Sequence, residues 1–206
     1  GEAAGGWDHV VLANAYDPKM DAYRGQSLAA IGKALGRDPA DVAWDILLNA
    51  LPNRAYGLYF MMDEPDIELA LKQPWTSIGT DAGAAAKFGE MDALGLPHPR
   101  SYGTFPRILG EYVRKRHVLT LEDAVRKMTS WPAQRMGLED RGVLREGLRA
   151  DVTIFDADKV EEGSSWEKPL GAPKGIDDVI VNGVAVLRAG KTTPARPGVA
   201  LRHSCS

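Results

Sequence analysis

Cysteine is nearly absent from this sequence of 206 residues, in which Cys205 is the only one. A single cysteine excludes an internal disulfide and a Cys-x-x-Cys metal site. The four histidines form neither a His-x-His nor a His-Glu-x-x-His arrangement. Because a catalytic zinc site takes three protein ligands, we expect that this chain does not supply a complete zinc site by itself.

Long apolar runs and an excess of positive charge are also missing. No apolar run reaches the roughly 18 residues of a membrane helix, so we expect no membrane-spanning segment. The net charge of -3 argues against nucleic acid as a general partner, because phosphate binding needs a basic surface. The first residues, GEAAGGWDHVV, lack the basic and apolar regions of a secretory signal, and we expect a cytoplasmic location.

The pattern of helix-like and strand-like segments changes at about residue 139. Residues 1–138 alternate helix-like and strand-like segments, whereas residues 139–206 are mostly short β runs joined by turns. The segment between the two parts, GLEDRG, is polar and bounded by glycine, as domain boundaries often are. We therefore expect an α/β domain over 1–138 and a small β-rich domain over 139–206.

Two local patterns refine this expectation. Residues 56–62, 64–72 and 76–80 read as strand, helix and strand, which predicts a crossover between adjacent parallel strands. Residues 84–103 are rich in Gly and Pro and are expected to form a long loop. In the second part, Asn182-Gly183 between two apolar runs predicts a type I′ hairpin, and we expect 142–188 to be mostly β.

The strongest chemical signal is SIGTDAG at residues 77–83. A carboxylate at the carboxyl end of a parallel strand lies at the catalytic mouth of an α/β barrel. Asp81 at this place can bind a divalent cation and can carry a proton between water and a leaving amine. The alternative is an aspartate that caps a turn, which is a common structural role.

A second signal follows in HPRSYGTFPR at residues 98–107. Arg100 in this segment could hold a substrate carboxylate through two parallel hydrogen bonds. The alternative is a rigid loop in which Arg100 pairs with a carboxylate of the protein. The residues alone leave both interpretations open.

Longer stretches carry a family resemblance: YGLYFMMDEPDIELALKQPWTSIGTDAG, HPRSYGTFPRILGEYVRKRHVLTLEDAVRKMTSWPAQRMGL, GVLREGLRADVTIFD and IDDVIVNGVAVL. Over nearly all of residues 7–200 the chain resembles the C-terminal half of D-aminoacylases. These are N-acyl-D-amino-acid deacylases of the amidohydrolase superfamily. HPRSYGTFPRIL is distinctive for D-aminoacylases, whereas ADVTIFD and VIVNG are shared with hydantoinases and dihydroorotases.

The resemblance implies a fold, a reaction and a cofactor. The fold is α/β, with the C-terminal strands and helices of a (β/α)8 TIM-type barrel plus part of a small β-sandwich domain. The reaction is zinc-dependent hydrolysis of the amide of an N-acyl-D-amino acid, which releases a carboxylate and a D-amino acid. The family uses one or two zinc ions.

The resemblance also implies roles for residues of this chain. The Asp of the TDAG position implies Asp81 as the acid/base and as a metal ligand. The Tyr of the YFMM segment implies Tyr59 in the substrate site, with Met62 near the substrate side chain. The Arg of HPR implies Arg100 as the carboxylate clamp. Where this chain has Ala82, the family more often has glycine, and we expect alanine to be tolerated if the position does not need a positive φ.

Other features depart from the family pattern. The family's His-x-His, its Cys ligand and its later barrel His ligands precede the matched segment and have no counterpart here. A complete barrel takes about 250 residues, more than this chain provides. We therefore expect an upstream barrel half, in the same or a separate chain, as a partner besides the small-molecule substrate.

Two competing functions stay open. One is an amidohydrolase that acts on a cyclic amide or a peptide, and HPRSYGTFPR favours the deacylase over it. The other is a non-catalytic subunit or fragment that only packs against a partner. The missing zinc ligands favour this last hypothesis.

Overall fold

The computed structural model of the chain describes residues 4–83, 97–166 and 168–201. It forms two compact units. The first comprises Gly1–Ile67, Ala82–Ser101 and Ser165–Leu170, and the second comprises Glu68–Asp81, Tyr102–Ser164 and Gly171–Ser206. Among the described residues, no helix is both long and apolar enough to cross a membrane. The predicted boundary between residues 138 and 139 stays a prediction.

The first unit is a two-stranded sheet with two helices packed against it. Its elements, in order, are a 3-10 turn at Trp7–His9, β1 at Val10–Asn14, a 3-10 segment at Pro18–Tyr23, α1 at Leu28–Leu35, α2 at Pro39–Asn49 and β2 at Tyr56–Tyr59. Helix α3, Glu64–Lys72, continues from this unit into the second.

Local side chains explain where α1 and α2 begin and end. The Ser27 hydroxyl accepts a hydrogen bond from the amide of Ala30 at 3.2 Å and caps α1. Gly36, with φ 64°, ends α1 in the left-handed conformation that glycine adopts without strain. Asp38 then caps α2 by accepting from the amide of Ala40 at 2.7 Å, with Pro39 at the first helical position. Each of these starts and stops follows from the sequence.

The core of this unit lies between β1 and the two helices. Its buried members are Ala4, Val10, Leu12, Ala15, Leu28, Ile31, Val42 and Ile46. The buried faces of the helices carry Leu28 and Ile31 in α1 and Val42 and Ile46 in α2, whereas Leu35 and Leu47 are exposed.

The second unit contains a helical segment and a four-stranded antiparallel sheet. The helical elements are α4 at Arg100–Arg107, which begins in the first unit, a π-helical continuation at Ile108–Lys115, α5 at Leu121–Met128 and α6 at Ser130–Arg135. The strands are β3 at Val152–Phe155, β4 at Ile176–Val181, β5 at Val184–Arg188 and β6 at Lys191–Thr192, and their order in the sheet is β3-β4-β5-β6. Asn182 and Gly183 join β4 and β5 with φ of 48° and 81°, so the predicted type I′ hairpin is confirmed.

The predicted pair of adjacent parallel strands is wrong in this chain. Strand β2 is present, but it pairs with β1 in the antiparallel sense, with Val10 opposite Tyr59 and Leu12 opposite Gly57. Helix α3 is confirmed, whereas residues 76–80 form no strand. The physical reason is that the main chain just before and within this segment forms hydrogen bonds with helices α5 and α6 and not with a neighbouring strand. For example, the amide of Ile78 donates to the carbonyl of Lys127 at 3.1 Å.

Two further expectations need correction. Of the predicted loop 84–103, residues 84–96 lie outside the described residues, and 100–103 are already helical because α4 begins at Arg100. The prediction that 142–188 is mostly β holds only for β3, β4 and β5. The described residues between β3 and β4 form turns and loops, with one bridge among them between Glu161 and Lys174.

Candidate active site

Asp81 lies in the irregular segment that follows α3. Its backbone has φ 48°, in the left-handed region, and the residue is exposed. Among residues other than glycine, Asp and Asn enter this region most readily. Ala82 is not among the described residues with a positive φ, so the condition under which alanine is tolerated there is met. The left-handed conformation therefore occurs at Asp81 itself and not at Ala82.

The two substrate-site candidates near β2 belong to the first unit. Tyr59 is the last residue of β2 and is 62% exposed, and Met62, three residues further, is 72% exposed. Between them, the amide of Phe60 donates to the carbonyl of His9 at 2.9 Å, which holds the chain beside β1. Exposed side chains of this size are accessible to a ligand or to another part of the protein.

Arg100 is the first residue of α4 and also belongs to the first unit. Its amide donates to His98 Nδ1 at 3.0 Å, and the residue is exposed. An exposed guanidinium offers a planar fork of donors that matches a carboxylate. The structure thus places Tyr59, Met62 and Arg100 in the first unit and Asp81 in the second.

Arg107, seven residues after Arg100, forms an ion pair within the protein. Its Nη1 donates to Glu162 Oε1 at 2.6 Å, and its guanidinium lies 5.6 Å from the ring centroid of Tyr112. Burial by itself would lower the pKa of Arg107, but the hydrogen bond and the charge of Glu162 more than offset it and raise the pKa above its usual value. Of the two arginines in HPRSYGTFPR, this one has a clear structural role.

Three aromatic side chains near Arg100 contact one another, which the sequence did not predict. Trp166 lies 4.6 Å from Phe60 and 4.7 Å from His98 between ring centroids, all within the first unit. Trp166 is about a hundred residues from Phe60 in the chain, so no local spacing could have shown their contact. The three rings form an aromatic cluster, and His98 of this cluster is two residues before Arg100.

A fully buried lysine was also missed. Lys127 in α5 has no exposed side-chain surface, and it contacts the residues that lead to Asp81. Lysine is almost never fully buried unless it is paired. Lys127 follows three residues after the buried Ala124, so the helical period places it on the inward face. That spacing is the one sequence signal that could have shown it.

The donor groups fit zinc in part. Among the described residues, no group of three or more His, Cys, Asp or Glu side chains could hold a metal ion. Asp81 offers one carboxylate, and carboxylate oxygen is an accepted zinc ligand. The chain can therefore contribute one ligand to a zinc site, and the remaining ligands would have to come from residues outside the described ones.

The second unit also contains a large cleft. It has a volume of about 1030 Å³ and is lined by residues of α4 to α6 and of strands β3 and β4, among them Leu109, Ala133 and Val179. Asp81 is not among its lining residues. Its walls are mainly apolar, and they also include the charged residues Glu122, Arg126, Arg141 and Asp151.

The chain was compared with known proteins. A sequence model of the Amidohydrolase family matches residues 21–187. The chain is similar to an N-acyl-D-glutamate deacylase from Alcaligenes xylosoxydans xylosoxydans, with 40% identity over 88% of this chain and 34% of the relative. A D-aminoacylase from the same organism is 37% identical over 83% of this chain and 35% of the relative.

Solved structures give the same picture. A crystal structure of D-aminoacylase superposes with a TM-score of 0.76 and 33% identity, covering 90% of this chain and 36% of that chain. An N-acyl-D-glutamate deacylase from Bordetella bronchiseptica, solved with zinc and a phosphonate inhibitor, superposes with a TM-score of 0.75 and 34% identity, with the same coverage. D-aminoacylase has a binuclear metal centre.

These matches cover only part of each relative, but they are sufficient to show the family of the chain. The chain spans only about a third of the length of the relatives that it matches. The match to the family model covers most of the chain, from α1 to β5, and the amidohydrolase family uses one or two metal ions. The chain therefore belongs to the amidohydrolase family.

Proposed function

We propose that the protein containing this chain is a zinc-dependent deacylase of N-acyl-D-amino acids. The observation that carries the proposal is the similarity to the N-acyl-D-glutamate deacylase, which extends over 88% of the chain at 40% identity. In this proposal the chain supplies the C-terminal strands and helices of a (β/α)8 barrel and part of a small β-sandwich domain. A cytoplasmic location stays a prediction from the sequence.

Asp81 is proposed as the catalytic acid/base and as one ligand of zinc. Bound zinc supplies a Lewis acid and makes water acidic enough to lose a proton near neutral pH. The Asp81 carboxylate accepts the proton of the attacking water as the water adds to the acyl carbon. It then donates that proton to the amide nitrogen, since the amine could not leave as an anion. One exposed carboxylate is sufficient for both transfers.

Substrate binding is proposed for residues of the first unit. Arg100 would hold the α-carboxylate of the substrate through two hydrogen bonds. Tyr59 and Met62 would shape the pocket, and Met62 would contact the substrate side chain. Their high exposure supports the proposal, since a side chain must be accessible in order to touch a ligand.

The upstream part of the barrel is proposed as the partner of this chain, in the same or a separate polypeptide. The exposed large apolar side chains support it, and they include Trp44, Leu48, Leu51, Met62, Leu69 and Trp75. Water contact with so much apolar surface is unfavourable, by about 25 cal/mol for each Å². The partial coverage of the relatives supports it as well.

The experiment compares Asp81→Asn with Asp158→Asn in the complete, zinc-loaded enzyme, with N-acyl-D-glutamate, N-acyl-D-aspartate and a cyclic amide as substrates. Asparagine adopts a positive φ as readily as aspartate, so the turn should survive. We expect kcat for Asp81→Asn to fall by at least about 100-fold, while Asp158→Asn, a change on an exposed turn, keeps normal kcat. Near-normal kcat for Asp81→Asn would end the assignment, and hydrolysis of the cyclic amide alone would favour the competing amidohydrolase activity.

A further inference from the structure

Helices α5 and α6 hold the main chain that leads to Asp81. Four consecutive carbonyl groups, those of residues 73–76, accept hydrogen bonds from side chains of these helices. Lys127 Nζ donates to the carbonyls of Gln73 and, at 3.4 Å, Thr76; Arg126 Nη2 donates to Pro74 at 3.0 Å; and Trp131 Nε1 donates to Trp75 at 2.8 Å.

Lys127 is the centre of this arrangement. Its side chain is fully buried, and Asp123 Oδ2 lies 3.8 Å from its Nζ. The carbonyl of Lys127 also accepts from the amide of Ile78 at 3.1 Å, so one residue bonds to the segment through both its side chain and its main chain. Burying an amino group is costly unless hydrogen bonds and a counter-charge compensate it, and both are present here.

Ile78 is three residues before Asp81. A chain of three residues spans at most about 11 Å, so the anchor lies close to the carboxylate. The left-handed backbone of Asp81 sets the direction in which its side chain leaves the chain, and a shift of residues 73–78 would displace its carboxylate. Small displacements of a reacting group matter, since about 1 Å of misplacement can cost about 100-fold in rate.

We propose that Lys127, with Arg126 and Trp131, is a positioning residue that fixes residues 73–78 and thereby places the Asp81 carboxylate for proton transfer. The proposal rests on the proposed role of Asp81. Lys127 does not touch the reacting atoms. Its effect is on the geometry of the group that carries the proton.

The test uses Lys127→Met in the complete, zinc-loaded enzyme. Methionine keeps much of the length of lysine but donates no hydrogen bond. We expect kcat to fall by about 10- to 100-fold, with KM changed by less than about threefold. Lys115→Met is the matched control, because Lys115 is exposed and pairs with Glu111 in the preceding turn; its kcat should be unchanged.

A second variant, Trp131→Phe, removes a single hydrogen bond and keeps an aromatic ring. We expect kcat to fall by about 2- to 10-fold, less than for Lys127→Met, because only one of the hydrogen bonds that hold the segment is removed. It decides the question on the same criteria if Lys127→Met does not fold. Because Lys127 acts through Asp81, Lys127→Met should lower kcat little further in the Asp81→Asn background.

Three results would overturn the proposal. The first is a normal kcat per folded, zinc-loaded enzyme for Lys127→Met with only the unfolding midpoint lowered, which would mean a purely structural role. The second is full multiplication of the losses of Lys127→Met and Asp81→Asn. The third is a normal kcat for Asp81→Asn, which would also remove Asp81 as the acid/base. All three leave the proposed deacylase function standing, and that function fails only if the complete, zinc-loaded enzyme does not hydrolyse an N-acyl-D-amino acid.

Discussion

The two arginines of α4 allow one substitution to be compared at two sites. Arg100 and Arg107 lie in the same helix, seven residues apart. Arg107 binds Glu162, whereas Arg100 is exposed at the helix start and is proposed to bind substrate. Changing each to Met should therefore give different results: lower stability with normal KM for Arg107→Met, and raised KM for Arg100→Met.

The loss of stability at Arg107 can be estimated from the structure. A hydrogen bond between charged groups contributes about 1.5–3 kcal/mol. The side chains of Arg107 and Glu162 are 40% and 25% exposed, so water screens part of the interaction. We expect Arg107→Met to lower the free energy of unfolding by about 1–2 kcal/mol. Denaturant unfolding of the complete enzyme at constant zinc measures this change.

The loss of binding at Arg100 follows from the same chemistry. A guanidinium that binds the substrate carboxylate contributes about 1.5–3 kcal/mol, which corresponds to a rise in KM of about 10- to 150-fold. Steady-state kinetics with an N-acyl-D-amino acid measures KM and kcat in the same assay. Arg100→Lys should show a rise of the same kind, because lysine cannot form two parallel bonds.

One result would refute this reasoning. If Arg100→Met lowers the free energy of unfolding as much as Arg107→Met does and leaves KM unchanged, Arg100 is a structural residue. A raised KM for Arg107→Met without any loss of stability would assign the substrate clamp to the other arginine. Either outcome removes Arg100 from the substrate site.

Further predictions concern the hairpin, acid stability and zinc. Gly183→Ala should lower the free energy of unfolding by about 1–2 kcal/mol because alanine is strained at φ 81°. The control Gly198→Ala, where the space around the Cβ is equally open and φ is not positive, should leave the free energy of unfolding unchanged. Equal unfolding midpoints for the two variants would contradict this prediction. The hydrogen bond from Lys174 holds the pKa of the Glu161 carboxyl below its usual value, so its stabilisation is complete above that usual value and is lost as pH falls through the lowered pKa. Glu161→Gln should therefore flatten the fall of the unfolding midpoint in acid, and an unchanged slope would argue against the pair. By elemental analysis, the complete enzyme should bind one or two zinc ions, and stoichiometric zinc on this chain alone would contradict a site completed by upstream ligands.

Local chemistry was readable from the sequence because it depends on neighbours in the chain. Asp38-Pro39 specified the start of α2, and Asn182-Gly183 specified the hairpin, since a cap or a two-residue turn is decided within about four residues. The role of Asp81, predicted from the SIGTDAG motif, stays a prediction. The resemblance to D-aminoacylases added the family, which the comparisons confirmed.

What the tertiary structure decided involves partners far apart in the sequence. The period of residues 56–80 shows strand, helix and strand, but it does not show which strand pairs with β2, and the structure selects β1, more than forty residues earlier. Nor could spacing show that Lys127 would bind the carbonyl of Gln73, 54 residues away. A buried cation is stable only where the fold brings several acceptors to one point, and that convergence is a property of the packed chain rather than of any local stretch.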